Sequence, residues 1–181
     1  MTGTLFLIVG PSGVGKDTLI DGAKAVLAAN ASFYFPQRFI TRPQDAGGED
    51  HLAIEPAEFE AKRLNGEFVL HWRAHGLSYG VAADIVARLE QGQHVVVNVS
   101  RTILDEARHR FSPLIVVTIT APSEIIERRL VARGRETASE IAERIARAAS
   151  YDVRGADVVQ LNNDDTLDAG VARLLEILGV S

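Results

Sequence analysis

Leu5-Phe6-Leu7-Ile8-Val9-Gly10-Pro11-Ser12-Gly13-Val14-Gly15-Lys16-Asp17-Thr18 is the stretch whose reading decides the fold. Five consecutive apolar residues, 5 to 9, read as a strand covered on both faces, the pattern of a central strand in a parallel sheet. A glycine-rich turn follows at once, and then Leu19, Ile20, Ala23, Val26 and Leu27 recur at helical spacing. Strand, glycine loop and helix in that order make a phosphate-binding P-loop. Gly10, Gly13 and Gly15, with Pro11, Ser12 and Val14 between them, let successive main-chain N–H groups turn inward. The helix that starts near Lys16 adds the positive end of its dipole. Lys16 supplies a point charge for the β- and γ-phosphates of a nucleotide. One position departs from G-x-x-x-x-G-K-[ST]. Asp17 stands where a hydroxyl ordinarily reaches magnesium, and Thr18 comes one residue later, so Asp17 and Thr18 are both candidate metal ligands. The rival reading, a glycine turn with a capping Asp, leaves unexplained why strand, loop and helix all sit where the motif needs them.

The 181 residues suffice for one domain with a sizeable core, with room for a small lid. Hydrophobic residues make up 46% and charged residues 24%, the balance of an ordinary globular protein. A net charge of −5 argues against a general nucleic-acid-binding surface. The absence of cysteine excludes disulfides, thiolate metal sites and cysteine nucleophiles, and suits a reducing compartment. The first apolar run is too short for a signal peptide, and no stretch approaches the roughly 18 apolar residues of a membrane span. The protein is therefore read as soluble and cytoplasmic. No sequence feature fixes an oligomeric state.

Outward from the P-loop, strands are expected at 4–9, 33–40, 68–72, 94–99, 114–120 and 157–161. Helices are expected at 16–29, from Pro56 to Asn65-Gly66, 83–90, 101–111, 122–132, 138–150 and 166–178. In the helix after Pro56, Phe59 and Leu64 are expected to face inward. His75-Gly76 reads as a turn. Residues 41–51 carry Pro43, Gly47 and Gly48 without a period and read as a loop, where function often resides. Strands separated by helices predict an α/β fold with a mainly parallel sheet covered on both faces.

Beyond the P-loop, Arg128, Arg129, Arg133, Arg135, Arg144 and Arg147 crowd the region from 128 to 147. For Arg128 and Arg147 a solvated face paired with neighbouring glutamates suffices. Arg133 and Arg144 suit another task. Phosphoryl transfer asks for charge screening around the transferred oxygens, which guanidinium forks on a closing helical hairpin provide. Arg38 and Arg42 flank the polar loop, as substrate-side cations or as surface charge near Asp45 and Glu49. His51, His71 and His75 lack the spacing of a helical zinc motif. Tyr79 reads as half core with a hydroxyl for a substrate.

Together these residues resemble the guanylate kinase family over nearly the whole chain. The resemblance is carried by Gly-Pro-Ser-Gly-x-Gly-Lys at 10–16, Thr41-Arg42-Pro43, Tyr79-Gly80, Arg129-Leu130, Arg133-Gly134, Arg144 eleven residues after Arg133, and the Asn-Asp turn at 162–165. It implies a P-loop NTPase three-layer fold that makes one kinase domain over 1–181. Its core would be 1–33, 83–129 and 149–181, with a substrate-binding subdomain over about 34–82 and a lid over about 130–148. It also implies ATP and Mg2+ as cofactors. Lys16, Arg129, Arg133 and Arg144 would be catalytic, and Asn162 or Asn163 would lie near the adenine.

The departures from that family fall on the guanylate side. Arg38 replaces a serine, Asp45 a second phosphate arginine and His51 a phosphate-binding tyrosine. Leu70-His71 stands near the guanine-reading glutamate, and Asn98 and Ser100 replace acidic residues. A base site cannot lose carboxylate acceptors cheaply. The same departures resemble the ribose 1,5-bisphosphate phosphokinase branch, which carries Gly-Lys-Asp in the P-loop, Thr-Arg-Pro with Ala-Gly-Gly-Glu, and Trp-x-Ala-His-Gly-x-x-Tyr-Gly. This chain has Gly15-Lys16-Asp17, Thr41-Arg42-Pro43 with Ala46-Gly47-Gly48-Glu49, and Trp72-Arg73-Ala74-His75-Gly76-Leu77-Ser78-Tyr79-Gly80. The implied reaction is phosphorylation of ribose 1,5-bisphosphate by ATP, at its 5-phosphate, to 5-phosphoribosyl 1-diphosphate in phosphonate breakdown. Arg38, Arg42, Glu49, His51 and Tyr79 would then face a small phosphorylated sugar, with neither nucleic acid nor membrane as a partner. The alternatives are a guanylate kinase with a divergent pocket and a non-catalytic guanylate-kinase-like binding module.

Overall fold

The computed structural model describes residues 2–44, 50–134, 137–149 and 152–180, with the backbone alone at 133, 147 and 149. β1 (Leu5–Val9) is buried at all five positions, and α1 (Lys16–Val26) starts directly after Gly15. Then follow β2 (Phe33–Tyr34), β3 (Phe39–Ile40), β4 (Leu52–Ala53), α2 (Pro56–Leu64), β5 (Phe68–Ala74), β6 (Leu77–Ala82), α3 (Asp84–Glu90) and β7 (His94–Asn98). A turn of 3-10 helix, Arg101–Ile103, leads into α4 (Leu104–Arg110), β8 (Leu114–Thr120), α5 (Ser123–Arg133), α6 (Ala138–Ala149), β9 (Val158–Asn162) and α7 (Leu167–Ile177). No helix among the described residues is long and apolar enough to cross a membrane.

The chain folds as two compact units, residues 1–5 with 30–114 and residues 6–29 with 115–181. In the second unit the strand order is β1-β8-β9. β8 and β9 run parallel, from Val116 opposite Val158 to Thr120 opposite Asn162. α5 and α6 form a hairpin with its own core. Ile126 and Leu130, four apart on α5, meet Ile141, Ile145 and Ala148 at spacings of four and three on α6.

In the first unit β2 pairs in parallel with β7. A separate four-stranded sheet has the order β4-β3-β6-β5, parallel between β3 and β4 and antiparallel elsewhere. Phe59 of α2 covers it with Ile54, Phe68 and Phe39.

Three expectations are corrected here. The strand over 33–40 is two strands in two sheets, because Pro36 has no N–H to donate to a ladder. Leu77–Ala82 is a strand. It pairs with β5 across a two-residue turn whose central residues, His75 and Gly76, have φ of 52° and 74°, the geometry that matches the twist of a hairpin. Leu64 is 71% exposed. Five residues after Phe59, it lies about 140° round the helix from the buried face.

Candidate active site

The P-loop and the residues gathered on it lie in the second unit. Gly13 and Gly15 take φ of 84° and 94°, which only glycine adopts without strain, and the N-terminus of α1 follows. A Cβ on Gly15 would stand 2.7 Å from Asn163 Nδ2, so the glycine also admits a close neighbour. Lys16 Nζ donates to the carbonyls of Gly10 (2.8 Å) and Pro11 (3.0 Å), which draws the loop around its ammonium. Asp17 lies in the first turn of α1, where its carboxylate complements the helix dipole, and Thr18 is exposed beside it.

Two donors converge on one P-loop carbonyl, Val14 O. Arg129 Nη1 donates from 3.1 Å and Asn163 Nδ2 from 2.8 Å. Asn163 is only 5% exposed. It follows β9, where its N–H continues the ladder to Thr120 O, and Arg173 of α7 braces the turn by donating to Asn162 O and Asp164. Asn163, expected near the adenine, is thus bound to the phosphate loop. Asn162 Oδ1 accepts from Thr120 Oγ1 and Gln160 Nε2.

On α6, Arg144 Nη1 donates to Ser12 Oγ at 2.7 Å. The apolar stripe of Ile141 and Ile145 holds the helix on α5 and leaves Arg144 beside the loop. The structure therefore brings Ser12, Val14, Lys16, Arg129, Arg144 and Asn163 together. Arg133 ends α5, with its side chain outside the described atoms.

The residues expected on the acceptor side lie in the first unit. Trp72 and Tyr79 oppose each other on β5 and β6 and stack, 5.3 Å between centroids and 2° between planes. Arg38, 7% exposed, sets its guanidinium 5.7 Å from the Trp72 ring and 5.5 Å from the Tyr79 ring and donates to Asn98 O at 3.0 Å. A cation over two aromatic faces, with a carbonyl acceptor, is stabilised although largely removed from water. Thr41 is tied twice to Ser78, through its N–H and its Oγ1. The chain then places Arg42 against His51, with Nη2 3.3 Å from His51 Nδ1 and the Arg42 carbonyl 3.1 Å from His51 Nε2. His51 is 1% exposed. Glu49, expected to bind substrate, and Asp45 lie outside the described residues.

The sequence reading names Trp72 only within a motif and assigns it no place beside Tyr79. Its signal is present: Trp72 and Tyr79 stand three residues either side of the turn at His75-Gly76, so a hairpin must pair them. Among the described residues no three His, Asp or Glu side chains converge on one point. A Mg2+ that keeps water and phosphate oxygens as most of its ligands would find its protein oxygen in Asp17 or Thr18, both in the first turn of α1.

The family model described as Guanylate kinase matches residues 2–179. The chain is 46% identical over 177 residues to the bifunctional ribose 1,5-bisphosphokinase-thymidine phosphorylase of Cupriavidus pinatubonensis, covering 98% of this chain and 29% of that protein. The chain thus spans less than a third of that relative. It is 40% identical over 176 residues to the ribose 1,5-bisphosphate phosphokinase PhnN of Brucella melitensis, covering 97% of this chain and 92% of that one. Among solved structures, guanylate kinase from Anaplasma phagocytophilum aligns with a TM-score of 0.70 at 18% identity, over 98% of this chain and 85% of that one. The fold is accordingly the α/β P-loop kinase fold.

Proposed function

Because this chain belongs to the guanylate kinase family, and within it to the branch of the ribose 1,5-bisphosphate phosphokinases, we propose that it phosphorylates ribose 1,5-bisphosphate to 5-phosphoribosyl 1-diphosphate. Bound Mg-ATP would supply the γ-phosphoryl group. The accepting oxygen belongs to the 1-phosphate, not to the 5-phosphate expected from the sequence, because the product carries its diphosphate on C1 and a single phosphate on C5. One P–O bond to ADP breaks as one P–O bond to the 1-phosphate forms. A phosphate acceptor needs no base to deprotonate a hydroxyl.

The residues of this chain position and screen. The Gly13 and Gly15 turn and the N-terminus of α1 orient N–H groups toward the β- and γ-phosphates. Lys16 and Arg144 add cations that compensate charge spreading in the transition state. Arg129 and Asn163 hold the Val14 carbonyl and so keep the loop in register. Asp17 or Thr18 would hold the metal. Arg38, Arg42 and Tyr79 form the acceptor side with His51 packed behind Arg42, and Glu49 is a sugar contact. The same reading makes 34–82 the acceptor subdomain and 130–148 the lid of one kinase domain, supported by the separate β4-β3-β6-β5 sheet and the α5/α6 hairpin core.

One observation carries the choice of acceptor. Where a base would need carboxylate readers, the first unit has Leu70, fully buried, and Asn98, whose carbonyl accepts from the buried Arg38. A bisphosphorylated sugar has two anionic groups and no base, so cations suit it better. Lys16 and Arg144 beside the loop disfavour a non-catalytic module. With buried readers missing, kcat/KM for ribose 1,5-bisphosphate should exceed that for GMP by at least about 10³-fold. ADP release at equal acceptor concentration and saturating Mg-ATP tests this, and comparable rates would restore guanylate kinase.

A further inference from the structure

We propose that His51 is a positioning residue for Arg42: a neutral imidazole protonated on Nε2 that holds the arginine for the acceptor phosphate without touching substrate itself. This rests on the reading of Arg42 as an acceptor-side cation. A carbonyl oxygen can only accept, so the 3.1 Å contact to Arg42 O requires a proton on His51 Nε2. A guanidinium can only donate, so the 3.3 Å contact to Arg42 Nη2 requires a lone pair on His51 Nδ1. One tautomer meets both demands, with each ring nitrogen facing Arg42.

Burial separates this role from direct substrate contact. His51 is 1% exposed, so its ring is covered within the fold. Its place is set by the two-residue strand β4, which begins at the next residue. Leu52 N donates to Arg38 O and Ile54 N to Ile40 O, which lays β4 alongside β3. Arg42 leaves the other end of β3, fastened by Thr41 to Ser78. His51 thus meets both the main chain and the guanidinium of Arg42. Among the described residues, Arg42 Nε is buried with no hydrogen-bond partner, so the pose of the guanidinium rests on its other contacts. A buried unsatisfied donor persists where other contacts over-determine the pose.

The test is a double-mutant cycle read on the acceptor KM, the ATP KM and kcat. His51→Phe keeps the ring and removes both bonds, and it should raise the acceptor KM about tenfold while the ATP KM moves less than about twofold. His51→Gln keeps one donor and one acceptor and should recover most of that loss. In an Arg42→Ala background, His51→Phe should change the acceptor KM by less than about twofold, because the group it acts through is gone. An undiminished loss in that background would mean that His51 meets the substrate directly and would overturn the proposal. So would an unchanged acceptor KM in His51→Phe alone. The ring nitrogens of the wild-type protein, followed by 15N NMR, give a readout that needs neither substrate nor a folded variant. A proton on Nε2 alone supports the proposal, and a proton on Nδ1 overturns it. If the wild type does not turn over ribose 1,5-bisphosphate, the proposed reaction fails and the tautomer still decides the role of His51.

Discussion

Lys16 is a tie within its own loop, since Nζ donates to the Gly10 and Pro11 carbonyls, and in the proposed reaction it would also be a cation for the phosphates. Its removal should therefore cost far more in rate than in folding. Lys16→Ala is expected to lower kcat by at least about 10²-fold with the circular dichroism unchanged, because its charge matters most as electron density shifts in the transition state. A near-normal kcat would show that the loop is not catalytic. Asp17 is a separate question. A carboxylate where kinases carry a hydroxyl adds a full negative charge and a hard oxygen. Asp17→Ser should raise the magnesium concentration for half-maximal rate. If that concentration stays the same while Thr18→Ala loses activity, the hydroxyl serves the metal and Asp17 only complements the N-terminus of α1.

At the scale of an element, α6 shows how a short helix is made rigid enough to present an arginine. Thr137 Oγ1 accepts from the Glu140 N–H, while Glu140 Oε2 accepts from the Thr137 N–H and hydroxyl, a reciprocal capping box. Those bonds, the main-chain one first, hold the Glu140 carboxyl below its ordinary value. A depressed carboxylate stabilises above its unfolded value, and that stabilisation is lost as pH falls through the folded one. Thr137→Ala should thus reduce amide protection across α6 about fivefold at neutral pH, the effect of losing a cap worth ~1 kcal/mol. The difference between wild type and Glu140→Gln should shrink as pH falls through the ordinary carboxylate range and vanish once it is below the lowered value of the folded state. Equal protection in wild type and Thr137→Ala at neutral pH would show that the α5/α6 core alone holds the helix. The box is plain in Thr137-Ala138-Ser139-Glu140, and so is the pairing of α5 with α6, since both rest on neighbours in sequence. β6 was less legible because a half-buried strand beside a tight turn carries a weak period, and its pairing with β5 rests on the positive φ at His75 and Gly76.

Over the whole molecule, what the sequence by itself determined is what consecutive residues can specify. The buried run at 5–9, the glycine turn and the helix at Lys16 lie within 14 residues, and main-chain sterics settle their conformation almost locally. Composition and periodicity likewise sufficed for an α/β fold with parallel strand pairs. The partners of the side chains were another matter. Asn163 reaches Val14 across 149 positions and Arg144 reaches Ser12 across 132, contacts that no neighbouring residues in the sequence announce. Arg38 reads in sequence as either a substrate-side cation or surface charge, and it is buried over Trp72 and Tyr79 because two hairpin strands bring those rings face to face. His51 and Arg42 stand only nine residues apart, but their contact required the parallel pairing of β3 with β4 and the tie from Thr41 to Ser78. Hydrogen-bond partners depend on position in space, to within a fraction of an ångström. A sequence pattern assigns a residue to a face, whereas sheet register and helix docking decide which donor meets which acceptor.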